Sequence, residues 1–125
     1  MSAPPAAPHL ALGRRGEDLA ARYLSAQEHL LVLSRNWRCS EGELDLVLTD
    51  GRQLVFCEVK TRTSNTYGTP AESVTDRKAH RIRRLARRWR FTQGVQPWVP
   101  DRFDIVSILW PPNRTPVIDH QPRAF

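Results

Sequence analysis

The spacing of apolar residues changes from a helical period to a strand period along the first half of the chain. Apolar and small side chains recur at helical spacing over residues 10–28, which predicts helix one. Apolar and β-branched runs at residues 30–37 and 43–49 predict strands one and two. Asp50-Gly51 is a strong two-residue hairpin signal because both positions tolerate positive φ, so strand three should follow directly over residues 53–61.

The second half of the chain predicts a helix and one further strand. Leu54-Val55-Phe56-Cys57 is apolar at every position, which indicates a central strand covered on both faces. Pro70 suits the start of helix two, which should reach about Phe91, and residues 102–110 alternate as strand four. The pattern therefore predicts an α/β domain whose central mixed sheet is flanked by helices.

Length and composition are consistent with one domain and two tails. The 125 residues favour a single domain over residues 10–110, with a flexible tail at 1–9 and a proline-rich tail at 111–125. We expect no signal peptide and no membrane span. Cys39 and Cys57 form no Cys-x-x-Cys pair, so a zinc site is not expected, and a reducing cytoplasm is the simplest compartment.

The charge balance favours a polyanionic partner. Lysine and arginine total 19 against 13 acidic residues, a formal charge of +6, which points to nucleic acid but also suits a merely soluble surface. Much of the excess lies on one face of helix two, which could track a phosphate backbone or simply be solvated. The residues proposed for this nucleic-acid-binding face are Arg77, Arg81, Arg84 and Arg88.

Three charged residues interrupt the apolar strands two and three. The strand period and the turn bring Asp45 close to Glu58, with Lys60 on the same face as Glu58. Two such carboxylates, with the Val59 carbonyl, could hold Mg²⁺ or Mn²⁺, and Lys60 could orient or deprotonate a water molecule. Glu17 shares a helix face with small packing residues, so it could complete the metal shell directly or through water.

Simpler interpretations stand beside this one. A lone Glu-x-Lys more often marks a solvated or mutually paired strand face. Lys78 could lie along the protein surface or reach towards the cleft, and Arg62 could bind phosphate or cap the strand end. Trp98 and Trp110 could stack on bases, although packing of the tail is favoured, and a structural salt bridge is favoured for Asp104.

Several motifs together resemble the YraN family of nuclease-like bacterial proteins. They are Gly16-Glu17, Asn36-Trp37-Arg38, Gly42-Glu43-Leu44-Asp45-Leu46-Val47, Val55-Phe56-Cys57-Glu58-Val59-Lys60-Thr61-Arg62 and Lys78. The resemblance implies the restriction-endonuclease-like fold of the PD-(D/E)xK superfamily, similar to archaeal Holliday junction resolvases. It assigns the superfamily motif to Asp45, Glu58 and Lys60 and the helical acid to Glu17, although Leu44 stands where a proline is usual.

The function expected from residues and resemblance is a Mg²⁺- or Mn²⁺-dependent endonuclease acting on DNA, in a structured or branched form. Asp45, Glu58, Val59 and Glu17 are the expected metal ligands, and Arg62 and Lys78 are expected to join the basic helix in binding DNA. A homodimer would suit a substrate that needs two cuts. The alternatives are a non-catalytic nucleic-acid-binding module and, less favoured, a protein-interaction domain in a DNA-processing assembly.

Overall fold

The computed structural model describes residues 8–64 and 74–125, and for residues 8–10 the backbone alone. Two helices and five strands follow one another in this part of the chain. They are α1 (Pro8–Gln27), β1 (Leu31–Cys39), β2 (Gly42–Thr49), β3 (Leu54–Arg62), α2 (Asp76–Gln93), β4 (Asp101–Leu109) and β5 (Val117–Gln121). The predicted α/β fold with a mixed sheet is confirmed.

The five strands form one sheet in the order β1-β2-β3-β4-β5. Strands β1, β2 and β3 pair antiparallel, β4 lies parallel to β3, and β5 returns antiparallel to β4. The parallel step requires a crossover, which α2 provides. Strand β3 is therefore central, and Val55, Phe56 and Cys57 in it are buried, as its apolar sequence predicted.

Helix α1 covers one face of the sheet through small residues. Ala20 and Leu24 pack against Leu46, Val55 and other residues of the sheet. The closest approach is at Gly16, where a Cβ atom would lie only 1.8 Å from the Thr61 Oγ1 atom. Only glycine leaves room for this contact, so Gly16 fixes how near α1 comes to the carboxyl end of β3.

Helix α2 covers the other face with the apolar stripe that the sequence predicted. Its buried residues are Ala79, Ile82, Leu85, Ala86 and Trp89. Trp89 meets the Phe56 ring edge-on, with 5.9 Å between ring centroids, and donates a hydrogen bond of 3.0 Å to the Ser34 hydroxyl. The polar end of this large side chain is thereby satisfied inside the apolar cluster.

Two boundaries differ from the prediction. Helix α2 begins at Asp76 because the Thr75 side chain caps it by accepting a hydrogen bond from the Lys78 backbone; Pro70, the predicted start, lies outside the described residues. The turn after β2 has four residues, since Thr49 pairs directly with Leu54. Asp50 stabilises it by accepting hydrogen bonds from two backbone N–H groups, a local arrangement that replaces the tight turn.

The fifth strand was not predicted, because prolines flank it and its apolar residues are few. A buried polar cluster holds it against β4. Asp104, with no exposed surface, accepts hydrogen bonds from the Arg102 guanidinium and lies 2.7 Å from His120 Nε2. The structural role favoured for Asp104 is confirmed, and the cluster connects the C-terminal segment to the sheet.

Candidate metal and phosphodiester site

Strands β2 and β3 separate at Asp45, and this separation shapes the site. Their paired residues run from Thr49 with Leu54 to Leu46 with Cys57. At the next position the Asp45 side chain, rather than the β2 backbone, accepts the Val59 N–H at 2.9 Å. Because the N–H and C=O of one strand residue point to the same edge, the Val59 carbonyl also faces Asp45.

Glu58 lies beside Asp45 on the face of β3 that α2 covers. Its side chain is only 12% exposed, and one carboxylate oxygen lies 2.7 Å from Lys78 Nζ and 3.4 Å from Lys60 Nζ. Lys60 and Lys78 are the only lysines in the chain, and all other residues of the Lys and Arg total are arginines. Both lysines of the protein thus contact a single carboxylate.

The electrostatics distinguish the two carboxylates. Burial, and next the neighbouring charge of Glu58, raise the pKa of Asp45 to about 8, while the hydrogen bond from Val59 opposes the rise. The lysines, in contrast, neutralise Glu58. Asp45 is therefore the group in this site that most needs a cation before it can ionise at neutral pH.

The two lysines also differ from each other. Burial, together with the nearby Lys78 ammonium group, lowers the pKa of Lys60. Burial would lower the pKa of Lys78 too, but its hydrogen bond to Glu58 and the nearby carboxylates raise it. Lys78 is the firmly charged partner of Glu58, and Lys60 is the one whose proton is more easily released.

Glu17 approaches the site without joining it. Its pKa is raised, mainly by burial, and the Asn36 side chain donates a hydrogen bond that opposes the rise. Its charge is near enough to raise the pKa of Asp45. Within residues 8–64 and 74–125, no three histidine, cysteine, aspartate or glutamate side chains are grouped so as to hold a metal ion. A role for Glu17 as a direct ligand therefore stays a prediction.

Asn36 is a residue whose role the sequence analysis missed. It has a φ of 52°, in the left-handed region, and lies between the Arg35–Leu46 and Trp37–Leu44 pairs. Asparagine tolerates this conformation better than most residues, and Asn36 also stands in the Asn36-Trp37-Arg38 motif, but neither signal predicts its contact with Glu17. Through its hydrogen bond it connects strand β1 to Glu17.

The basic face of α2 is partly engaged within the protein. Arg84 Nε and Arg88 Nη1 lie 2.8 Å and 3.2 Å from the carboxylate of Glu41, in the turn between β1 and β2. Arg77 and Arg81 are exposed. Lys78 contacts Glu58, the cleft-directed placement of the two left open by the sequence, because the helical period places it on the side that faces the sheet. Its role in binding DNA stays a prediction.

Of the residues predicted at or near the strand ends, Arg62 and Trp110 make contacts within the protein and Trp98 is exposed. Arg62 accepts a hydrogen bond of 2.7 Å from the Trp110 N–H through its backbone carbonyl. The Trp110 side chain packs against the core beneath α1, as favoured, whereas Trp98 is 76% exposed and the prediction that it packs is wrong. The Trp98 indole therefore lies at the surface of the protein.

The residues at the site fit a hard divalent cation in their chemistry. Asp45 and Glu58 present oxygen ligands side by side, and a bound cation would offset the burial and the Glu58 charge that raise the pKa of Asp45. Two carboxylates, a backbone carbonyl and water form a common ligand set for Mg²⁺.

The mixed sheet, its two covering helices and the Asp45–Glu58–Lys60 hairpin define an α/β protein consistent with a restriction-endonuclease-like core. No described helix is long and apolar enough to cross a membrane. A family model described as uncharacterised protein family UPF0102 matches residues 16–108, and the chain belongs to this family. The resemblance to the YraN family drawn from the motifs is thereby confirmed.

Similar proteins from bacteria cover almost the whole chain. A UPF0102 protein of Frankia alni is 52% identical over 92% of this chain and 94% of its own length. One of a Nocardioides species is 56% identical over 88% of this chain and 87% of its own length. A third, of Nocardia farcinica, is 50% identical, with 92% and 89% covered. These names state a family and no activity.

Proposed function

We propose that this protein is a Mg²⁺- or Mn²⁺-dependent endonuclease that hydrolyses phosphodiester bonds of structured or branched DNA in the cytoplasm. The observation that supports it best is the Asp45–Glu58 pair with both lysines of the chain beside it. In a surface that needed positive charge alone, arginine would serve equally well. Lysine differs in that its pKa shifts readily on burial, which suits proton transfer.

Asp45, Glu58 and the Val59 carbonyl are the groups that would hold the cation. When bound, it supplies positive charge opposite the phosphate and lowers the pKa of a nearby water molecule. The hydrogen bond from Val59 fixes the orientation of the Asp45 carboxylate, so one ligand is positioned before the cation arrives. In this proposal Glu17 is an accessory acid that acts through water.

The lysines would divide the remaining work. Lys60, with its lowered pKa, is suited to orient water; once it has released its own proton to solvent, its neutral amine can take up the proton of that water as the phosphorus is attacked. Lys78 keeps its charge at neutral pH and would contact the phosphate as charge develops on it. The cation must compete with Lys78 for Glu58, so the ion pair is expected to rearrange when metal binds.

Exposed arginines near the start of α2 support DNA as the polyanionic partner. Arg77 and Arg81 are exposed one helical turn apart and near the start of the helix that carries Lys78. Each phosphate that they neutralise would release counterions, so binding should weaken as salt increases. Arg84 and Arg88 would add to this face once a phosphate displaced Glu41.

One observation favours the second candidate, a nucleic-acid-binding module without catalysis. The carboxylate of Glu58 is already neutralised by two ammonium groups, so the fold does not depend on a cation at this position. Such a site could persist as a structural ion-pair cluster in a protein that binds DNA and leaves it intact.

Incubation with four-way, flapped and linear DNA in Mn²⁺ separates the two candidates. Wild-type protein should cleave a structured substrate, and Asp45→Asn and Lys60→Met should each lose cleavage while retaining DNA affinity within a few fold. Asp119→Asn, an exposed carboxylate change in β5, is the matched control and should cleave normally. Cleavage that survives both site substitutions contradicts the assignment; binding by all variants without cleavage supports the module.

The lysines provide a second readout that does not depend on activity. Reductive methylation with ¹³C-formaldehyde labels Lys60, Lys78 and the amino terminus only. Addition of Mg²⁺ should shift both lysine resonances in wild-type protein and neither in Asp45→Asn. Unchanged resonances at millimolar Mg²⁺ would contradict metal binding at this position.

A further inference from the structure

A cavity of about 500 Å³ lies at the carboxyl end of the central strands, on the side of the sheet that α1 covers. Leu12 of α1 and Trp110 line it, together with Pro111 and Pro112, and Thr63 and Asn113 add polar groups. Cavities of this size, apolar with a few polar groups, are typical of small-ligand sites. A flat aromatic ligand suits this lining best.

Arginine side chains line the cavities beside the Trp110 ring. The Arg15 guanidinium lies over the Trp110 ring, 4.3 Å from its centroid. A second cavity, of about 700 Å³, shares Arg15, Trp110 and Asn113 with the first and is also lined by Arg114. The ligand that fits the pair of cavities is therefore one that carries both a flat apolar group and a negative charge.

The backbone around Asn113 is held in an uncommon conformation. Asn113 has a φ of 59°, and the Arg114 N–H donates a hydrogen bond of 3.2 Å to the Pro111 carbonyl. Two prolines before it restrict the turn further. The Asn113 amide, which belongs to both cavities, is thus presented by a rigid turn, as expected of a group that orients a ligand.

The cavity and Glu58 lie on opposite faces of the sheet, and β3 connects them. The Trp110 N–H binds the Arg62 carbonyl at 2.7 Å, and Arg62 is four residues beyond Glu58 on β3. At about 3.3 Å per residue, this corresponds to about 13 Å along the strand, so a nucleic-acid strand that contacts both would pass around the carboxyl end of the sheet.

We propose that the Trp110 cavity binds an unpaired nucleobase of single-stranded DNA, with Arg15 and Arg114 contacting the adjoining phosphates. This rests on the proposed function only in taking DNA as the ligand. The base takes the place of the Arg15 guanidinium over the Trp110 ring, and the displaced Arg15 side chain contacts the phosphate. Stacking accepts any of the four bases, so the cavity recognises single-stranded character rather than sequence.

The proposal narrows the substrate class. A duplex keeps its bases paired and cannot deliver one to the cavity without unstacking, whereas a flap, a splayed arm or a junction with open arms can. DNA with a few unpaired nucleotides next to the scissile phosphate should therefore be bound in preference to blunt duplex.

Fluorescence anisotropy with labelled six-residue oligothymidylate, in EDTA so that neither cleavage nor metal contributes, tests the cavity directly. Trp110→Leu should weaken binding between about fivefold and a hundredfold, the range measured for loss of one stacked base. Trp98→Leu, the matched control at the exposed tryptophan, should change it less than twofold. A blunt-ended duplex long enough to stay paired should respond less than twofold to either change.

Indole NMR of the wild-type protein keeps the test independent of whether Trp110→Leu folds. The chain has four tryptophans, each giving one indole N–H resonance. Oligothymidylate should shift the Trp110 resonance, assigned with Trp110→Phe, and leave those of Trp37, Trp89 and Trp98 in place. An unshifted Trp110 resonance at saturating oligothymidylate overturns the proposal.

The outcomes also separate this proposal from the endonuclease assignment. If Trp110→Leu loses oligothymidylate binding and no substrate is cleaved, the base site stands and the catalytic function fails. If wild-type protein cleaves structured DNA but Trp110→Leu and Trp98→Leu bind oligothymidylate equally, the base site is wrong and the endonuclease stands. Absence of any oligothymidylate binding by wild-type protein also overturns the base site.

Discussion

Replacing Asp45 with asparagine should stabilise the metal-free protein even as it abolishes metal binding. The asparagine carbonyl can still accept the Val59 N–H, and its amide can donate to Glu58 as a protonated aspartate would. The substitution therefore fixes the neutral form of the side chain. It removes the cost of ionising a carboxylate that burial and Glu58 both oppose.

The magnitude follows from the pKa. Asp45 has an ordinary pKa of 3.8 and a folded pKa of about 8, so the folded protein holds a proton that the unfolded chain releases between those values. The free energy of unfolding should thus be highest below pH 4 and fall as pH rises to about 8. The full difference between these two pKa values corresponds to roughly 6 kcal/mol of unfolding free energy. Because solvent reaches part of the Asp45 side chain, we expect a smaller change of about 2–3 kcal/mol.

Urea denaturation at pH 5, 7 and 8.5 in EDTA measures this difference. Asp45→Asn should be more stable than wild-type protein by less than about 1 kcal/mol at pH 5 and by about 2–3 kcal/mol at pH 8.5. Asp119→Asn controls for a change of net charge and should follow the wild-type curve. At pH 8.5, Mg²⁺ should stabilise wild-type protein and leave Asp45→Asn unchanged.

Parallel pH dependences of wild-type protein and Asp45→Asn would refute the reasoning, because they would mean that Asp45 ionises as easily in the folded protein as in the unfolded chain. A variant that was less stable at every pH would refute it as well. The Asp45 carboxylate would then be a structural group, with its interactions already satisfied by Val59 and the lysines.

Three other predictions concern packing, DNA binding and the C-terminal strand. Gly16→Ala should lower the free energy of unfolding by about 2 kcal/mol, measured by urea denaturation, because its Cβ would overlap Thr61. Glu41→Gln should tighten DNA binding several fold and steepen its salt dependence, measured by anisotropy, because it releases two arginines of α2. Asp104→Asn should cost about 3–5 kcal/mol in thermal denaturation, because it leaves buried Arg102 and His120 without their charged partner.

The first two have control variants, and all three have a result that would contradict them. Gly13→Ala, where nothing lies within 4 Å of the added Cβ, should be neutral or stabilising by up to about 1 kcal/mol, and equal effects at both glycines would contradict the packing argument. For Glu41→Gln the control is Asp119→Asn, and equal tightening by both would indicate net charge alone. A loss below about 1 kcal/mol for Asp104→Asn would mean that the cluster does not hold β5.

The family and most of the architecture follow from the sequence because they depend on local patterns. Period-two alternation and the turn after Thr49 place Asp45 opposite residues 56–58 whichever turn type forms, and the observed register lies within that range. The apolar run in β3 similarly requires two covering layers. Such features are set within a few residues of one another, so sequence reasoning can reach them.

The C-terminal strand shows where that reasoning ends. Residues 117–121 are short and lie among prolines, and β5 forms because Asp104, 13 residues before the strand begins, binds His120 from the neighbouring strand. Neither residue has a local signal of this partnership. The pairing exists only after β4 is in place, so tertiary contacts override a weak strand propensity.

The sequence by itself determined the two carboxylates, the lysine beside them and the hairpin that carries them. Tertiary structure decided which charges meet: Lys78 turns to Glu58 rather than to the basic face, Glu41 engages two of the helix arginines, and Glu17 binds Asn36. The reason is physical. Periodicity fixes the face on which a side chain lies, but the free energy of a buried charge depends on every neighbour that folding brings within a few ångströms.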